Sequence, residues 1–140
     1  MNGRFFLDTN IFVYSFDRSA PAKARRAAEL IKDAVTSRKG LVSYQVVQEF
    51  MNVALKRFVV PMSIAEAEQY LSNVFRPLLI VNSSQGLLAD ALYLCGRYRL
   101  AWYDALIVGA ARQAECSQLL SEDLQHGLQI GDLRVENPFL

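Results

Sequence analysis

Arg4-Phe5-Phe6-Leu7-Asp8-Thr9-Asn10 sets a short, largely apolar run against an acid and two small polar residues. A run this short, with no amphipathic alternation, suits a strand buried on both faces of a sheet. Thr9 and Asn10 readily hydrogen-bond their own backbone and turn the chain toward a helix, which puts Asp8 at a strand-to-helix junction. Three more stretches read alike: Gly40-Leu41-Val42-Ser43, Leu78-Leu79-Ile80-Val81 and Gln118-Leu119-Leu120-Ser121. Leu133 to Val135, just ahead of Pro138, is expected to add an edge strand.

Helical patterns lie between these runs. Ala24, Ala27, Ala28, Ile31, Ala34 and Val35 repeat at the spacing of one buried face, and Pro21 suits the first turn of that helix. A second helix is expected from Tyr44 to about Phe58. A third follows Pro61 and starts at Ser63, where Ser63-Ile64-Ala65-Glu66 matches a capping box. Leu87, Leu88, Ala91, Leu94 and Cys95 mark another, and Asp104 to Glu115 the last long one.

Strands alternating with helices predict an α/β layer fold with a mostly parallel sheet, since each helix carries the chain back for the next parallel strand. At 140 residues, with no linker or repeat, residues 1–140 are expected to form a single domain. A composition 52% hydrophobic and 21% charged excludes a disordered chain and makes a disulfide scaffold unnecessary. No apolar stretch approaches the ~20 residues of a membrane-spanning helix, and Met1-Asn2-Gly3 leads straight into a strand rather than a signal peptide. Cys95 and Cys116, both inside helical patterns and without metal-ligand spacing, read as free thiols in a reducing compartment, so the expected location is the cytoplasm. The net charge of +1 is silent on partners.

In open parallel sheets ligands gather at the carboxyl ends of the strands, so acids there bear closest reading. Asp8 follows the first strand, and Asp123 follows Leu119-Leu120-Ser121-Glu122. Asp104 opens an apolar helix, where the helix dipole favours negative charge, and Glu49 flanks the stripe of Val46, Val47, Phe50, Met51 and Ala54. Each has a simple structural explanation: Asp8 and Asp104 as helix caps, Glu49 as a solvated helix residue, Asp123 as a loop acid. Taken together, their shared placement points to one site.

Two carboxylates about 5 Å apart repel by ~3 kcal/mol even at an effective dielectric near 20, so such a cluster calls for a cation. Carboxylate and water oxygens are the ligands that Mg²⁺ and Mn²⁺ prefer, and one histidine, His126, cannot make a zinc site. A metal held by acids activates water for in-line attack on a phosphodiester. No motif supports a Ser/His/Asp triad, and no GxxxxGK phosphate loop is present.

Phe6-Leu7-Asp8-Thr9-Asn10, Val47-Gln48-Glu49-Phe50, Tyr103-Asp104-Ala105-Leu106-Ile107 and Leu120-Ser121-Glu122-Asp123-Leu124 resemble, in this order, the motifs of PIN domains. The ending Leu133-Arg134-Val135-Glu136-Asn137-Pro138-Phe139 looks like that of VapC, the toxin type of type II toxin-antitoxin pairs. The resemblance spans nearly the whole chain. It implies a three-layer PIN-like fold and an endoribonuclease using Mg²⁺ or Mn²⁺. It also implies a homodimer held inactive by a VapB-type antitoxin, with transfer or ribosomal RNA as substrate. Asp8, Glu49, Asp104 and Asp123 carry over as catalytic metal ligands, with Thr9, Asn10 and Ser121 as supporting or phosphate-contacting groups. Glu122 competes with Asp123 for the fourth position, and Asp123 is preferred because the family places that acid two residues after the small hydroxyl residue, here Ser121.

Lys23, Arg25 and Arg26, then Arg38 and Lys39, then Lys56 and Arg57, form short basic groups that read as solvated faces. Tyr14, Tyr44, Trp102 and Tyr103 are candidates to stack on unpaired bases. Two rivals remain: a receiver-like signalling module, which also sets acids at strand ends but needs a lysine that is missing after the late strand, and a catalytically silent PIN-type binding protein.

Overall fold

The computed structural model describes residues 3–140. The leaderless start read from Met1 and Asn2 lies outside them. Six strands form one sheet in the order β3-β2-β1-β4-β6-β5, with helices packed around it in three layers. The strands are β1 (Phe5–Leu7), β2 (Gly40–Ser43), β3 (Leu79–Val81), β4 (Gln118–Leu120), β5 (Gln129–Ile130) and β6 (Leu133–Glu136). All neighbouring pairs are parallel except β5 and β6. The chain builds outward from β1 to β3 on one side, then returns to lay β4 on the other. The order therefore reverses at β1, and the crevice beside β1 and β4 is where such sheets place a ligand.

Among the described residues seven α-helices connect the strands: α1 (Thr9–Tyr14), α2 (Pro21–Ser37), α3 (Tyr44–Lys56), α4 (Ile64–Tyr70), α5 (Arg76–Leu78), α6 (Gln85–Tyr98) and α7 (Trp102–Gln113). Pro21 takes the first turn of α2 as expected, and Ser63 with Glu66 forms a complete capping box at α4. Fully buried Phe12, Phe50 and Phe75 lock α1, α3 and the π-helical turn Leu71–Phe75 together, and Tyr70 stacks on Phe50 at 4.9 Å between ring centres. Each such pair adds roughly 0.5–1.5 kcal/mol beyond the area it buries. Gly40 begins β2 where α2 passes very close, and a Cβ there would stand 2.1 Å from that of Ala34.

Several expectations are corrected. β6 is an interior strand, because Gly131, at φ 59°, turns the chain so that β5 pairs back on it and takes the edge. β3 is the opposite edge, which leaves Ile80 exposed rather than buried on both faces. Leu78, read as strand, closes α5 instead. α2 buries Ala27, Leu30, Ile31 and Ala34 while Ala28 faces solvent, and α6 likewise exposes Leu88. Cys116 lies past the end of α7, not within a helix. It is a free thiol like Cys95, and burial pushes its pKa up to about 12. Among the described residues no helix is long and apolar enough to cross a membrane.

Candidate active site

β1 ends at Leu7, and Asp8 caps α1 by accepting from the Thr9 amide at 2.7 Å. Its backbone N–H donates to the Leu120 carbonyl, which ties the ends of β1 and β4 side by side. The segment after β4 therefore meets α1. Ser121, fully buried, donates its hydroxyl to Asp8 Oδ2 at 2.7 Å, and Ser121 Oγ in turn accepts from the Asp123 amide at 3.1 Å. Asn10 closes the arrangement. Its Nδ2 donates to Asp123 Oδ2 at 3.1 Å and to Ser121 Oγ at 3.3 Å, while its Oδ1 accepts from the Glu122 amide. On the other side Thr9 Oγ1 donates to Glu49 Oε1 at 2.7 Å, fixing the carboxylate that α3 brings in.

The four acids Asp8, Glu49, Asp104 and Asp123 line one cleft of about 440 Å³, together with Thr9 and Asn10. Asp104 reaches it from the first turn of α7. That helix starts two residues earlier than expected and its N-cap is Ala101, so Asp104 is not a cap. Burial, only partly offset by the hydrogen bonds from Ser121 and Thr9, pushes Asp8 up to about 6, and the charges of Asp123 and Glu49 push the same way. Asp104 is raised as well, by burial first and then by Asp123. These carboxylates thus feel one another across the cleft.

The donor set suits a hard divalent cation: four carboxylates, no histidine or cysteine among the lining residues, and mutual repulsion that a cation relieves. Among the described residues no three such groups are already drawn into a ligand cluster, so the acids line the cleft without closing on a common point.

Glu122 points elsewhere. It pairs with Lys23 Nζ at 2.9 Å, accepts from the Tyr14 hydroxyl at 2.7 Å, and does not line the cleft. Lys23, first among its contacts, holds the Glu122 carboxyl below its usual range. His126 is exposed and accepts from the Asn137 amide, away from the acids. Tyr14 and Tyr103 line the cleft, whereas Tyr44 and Trp102 do not.

Gln45, Val13, Val53 and Ile107 also line it, and none was singled out from the sequence. Helical spacing was the available signal. Gln45 and Val53 stand four residues either side of Glu49, and Ile107 stands three past Asp104, on the same helix faces. Gln45 Nε2 donates to the Tyr103 carbonyl at 3.3 Å and so links α3 to α7 across the mouth.

A family model for the PIN domain matches residues 5–127. The chain belongs to the PIN domain family, whose members are nucleases that generally use divalent metal ions. No curated protein matches the sequence. The fold is similar to that of a toxin-antitoxin complex from Klebsiella pneumoniae, at 24% identity and TM-score 0.65, covering 95% of this chain and 96% of that one. It is also similar to FitAcB from Neisseria gonorrhoeae, at 16% identity and TM-score 0.63, covering 96% and 98%. VapBC2 from Rickettsia felis, bound to a DNA fragment from its promoter, shares it at 18% identity and TM-score 0.63, covering 95% and 97%.

Proposed function

We propose that this protein is a single-domain, metal-dependent endoribonuclease of VapC type, with Asp8, Glu49, Asp104 and Asp123 as its metal-holding acids. One observation carries the reading: acids from four separate stretches of sequence line a single cleft, at the sheet's reversal point, in a chain of a nuclease family. Family membership leaves the receiver-like alternative without support. The Lys23 and Tyr14 contacts that turn Glu122 from the cleft favour Asp123 as the fourth acid.

Asp8, Asp104, Glu49 and Asp123 would hold Mg²⁺ or Mn²⁺, and the chemistry such an ion supplies is charge neutralisation at the phosphate and activation of water. The chain's own groups do the positioning. Ser121 and the Thr9 amide orient both oxygens of Asp8, Thr9 holds Glu49, and Asn10 holds Asp123. Asp8, which burial raises to about 6 in the cation-free cleft, must be ionised to hold a metal, so metal binding is expected to strengthen as pH rises through about 6. Tyr14 and Tyr103 at the walls offer faces for unpaired bases.

Toxin-antitoxin complexes among the structures of like fold support a VapB-type antitoxin as inhibitor. The homodimer and transfer or ribosomal RNA as target belong to the same reading and rest on the motif resemblance to VapC. Total RNA incubated with antitoxin-free protein in Mg²⁺, Mn²⁺ or EDTA tests the activity and separates it from a silent binding protein. Defined cuts that vanish in EDTA are expected, and intact RNA in every buffer would overturn the assignment.

A further inference from the structure

A second pocket, of about 130 Å³, opens where β2 and β3 end, between the start of α3 and the segment Val81-Asn82-Ser83-Ser84 that leads into α6. It shares Gln45 and Tyr103 with the acidic cleft, so the two adjoin on either side of those residues. Among the described residues, none that lines it is charged. Two long helices begin at its wall, and neither carries an acid in its first turn.

The helix starts differ in one respect. At α6 the Ser84 hydroxyl accepts from the Leu87 amide at 3.0 Å, an ordinary cap. Ser43 holds the equivalent position at α3, but its side chain caps nothing. Ser43 lines the pocket, is only 2% exposed, and its Oγ has no hydrogen-bond partner among the described residues. The register between β2 and β3 slips between Val42 and Ser43, the kind of irregularity that re-aims a side chain. A buried hydroxyl without a partner is costly to keep, and helix N-termini draw anions.

We propose that this pocket binds a backbone phosphate of the same RNA strand whose scissile bond lies in the acidic cleft, a proposal that rests on the nuclease reading above. A polyanion approaching four carboxylates meets repulsion, and among the described residues no Lys or Arg lines the cleft to offset it. A phosphate seated on the N-termini of α3 and α6, with Ser43, Ser83 and Asn82 as neutral donors, anchors the strand next to the acids without placing a basic side chain among them. Phosphate contacts of this kind set register and carry no sequence preference.

The test follows amide shifts of Tyr44, Gln45, Ser83 and Gln85 during titration with a short oligoribonucleotide in EDTA and, separately, with inorganic phosphate. It adds cleavage kinetics for Ser43→Ala and Ser83→Asp. The oligoribonucleotide is expected to move these amides. Ser43→Ala should weaken its binding about threefold to tenfold with Tm unchanged or raised, because the lost hydroxyl had no partner within the fold. Ser83→Asp should weaken it at least about tenfold, more so at low salt, raising KM with kcat nearly unchanged. A purely structural Ser43 would lower Tm on replacement by Ala and leave binding alone. Wild-type binding by both variants, or amides that stay still, overturns the pocket while wild-type RNA cleavage leaves the nuclease reading standing. Amides that move with inorganic phosphate alone, in a protein that neither binds nor cuts RNA, overturn both.

Discussion

The Ser121 hydroxyl donates to Asp8 Oδ2 at 2.7 Å, joining the ends of β4 and β1 beneath the cleft. That bond lowers the Asp8 pKa against the stronger effect of burial. Ser121→Ala is therefore expected to move Asp8 further above about 6 and to leave the Asp123 amide without this acceptor. A loss of ~1–3 kcal/mol at pH 7.5 should accompany it. Carboxyl NMR titration and melts of the two proteins check both effects, and an Asp8 pKa that falls would refute the arrangement.

Metal-free stability should depend on pH through Asp8. Its folded pKa, about 6, exceeds the ordinary value of 3.8, so on raising pH the unfolded chain releases its proton first. Stability is then highest below about 4, declines as pH rises through about 6, and levels off above. The full difference is at most ~3 kcal/mol. Asp104 acts in the same sense. Glu66 and Glu122, whose folded pKa values are lowered, act oppositely and lose their contribution at the acid end, so the observable decline is from about pH 5 to 7. Asp8→Asn keeps a competent helix cap and should flatten that decline. Melts in EDTA across this range, on both proteins, decide it. A wild type as steady at pH 7 as at pH 5 would mean that the buried Asp8 carboxyl does not titrate above its ordinary range.

Glu122→Gln and Asp123→Asn separate the two candidates for the fourth acid. Glu122 is tied to Lys23 at the surface, so its loss should leave cleavage within about fivefold of wild type. Asp123→Asn should cost at least about tenfold, since it removes a charge from the cleft. Reversal of this order in a cleavage assay would give the role to Glu122.

Gly40→Ala tests the packing that sets β2 against α2. The added methyl would meet Ala34 Cβ at 2.1 Å and its Cα at 2.6 Å, so backbone must move. Destabilisation of ~1–3 kcal/mol is expected in denaturant melts. An unchanged midpoint would contradict the close approach.

The four parallel strands β1 to β4 were legible because each is a short apolar run, and Ser63 announced its helix through its partner Glu66. β5 was not, since two residues carry no pattern and the pairing depends on the turn at Gly131. The start of α7 was misplaced because Asp104 resembles a cap, whereas Ala101, which caps nothing with its side chain, gives no signal. In the cleft the acids stood out as chemistry. Gln45 and Ile107 reached it only through helix geometry, and the turning of Glu122 toward Lys23 is a tertiary contact across 99 residues that no local pattern encodes.

The most direct test of the central claim is cleavage of RNA by wild type and by Asp104→Asn, side by side, in Mn²⁺ and in EDTA, with the ends of the products sequenced. Asp104 lines the cleft without capping its helix, so Asn should preserve the fold while removing a charge from the site. The expected result is defined cuts by wild type in Mn²⁺, none in EDTA, and a rate at least about 100-fold lower for Asp104→Asn. Cleavage by Asp104→Asn at the wild-type rate, or wild-type cuts that persist undiminished in EDTA, would contradict a metal-dependent site built on these acids.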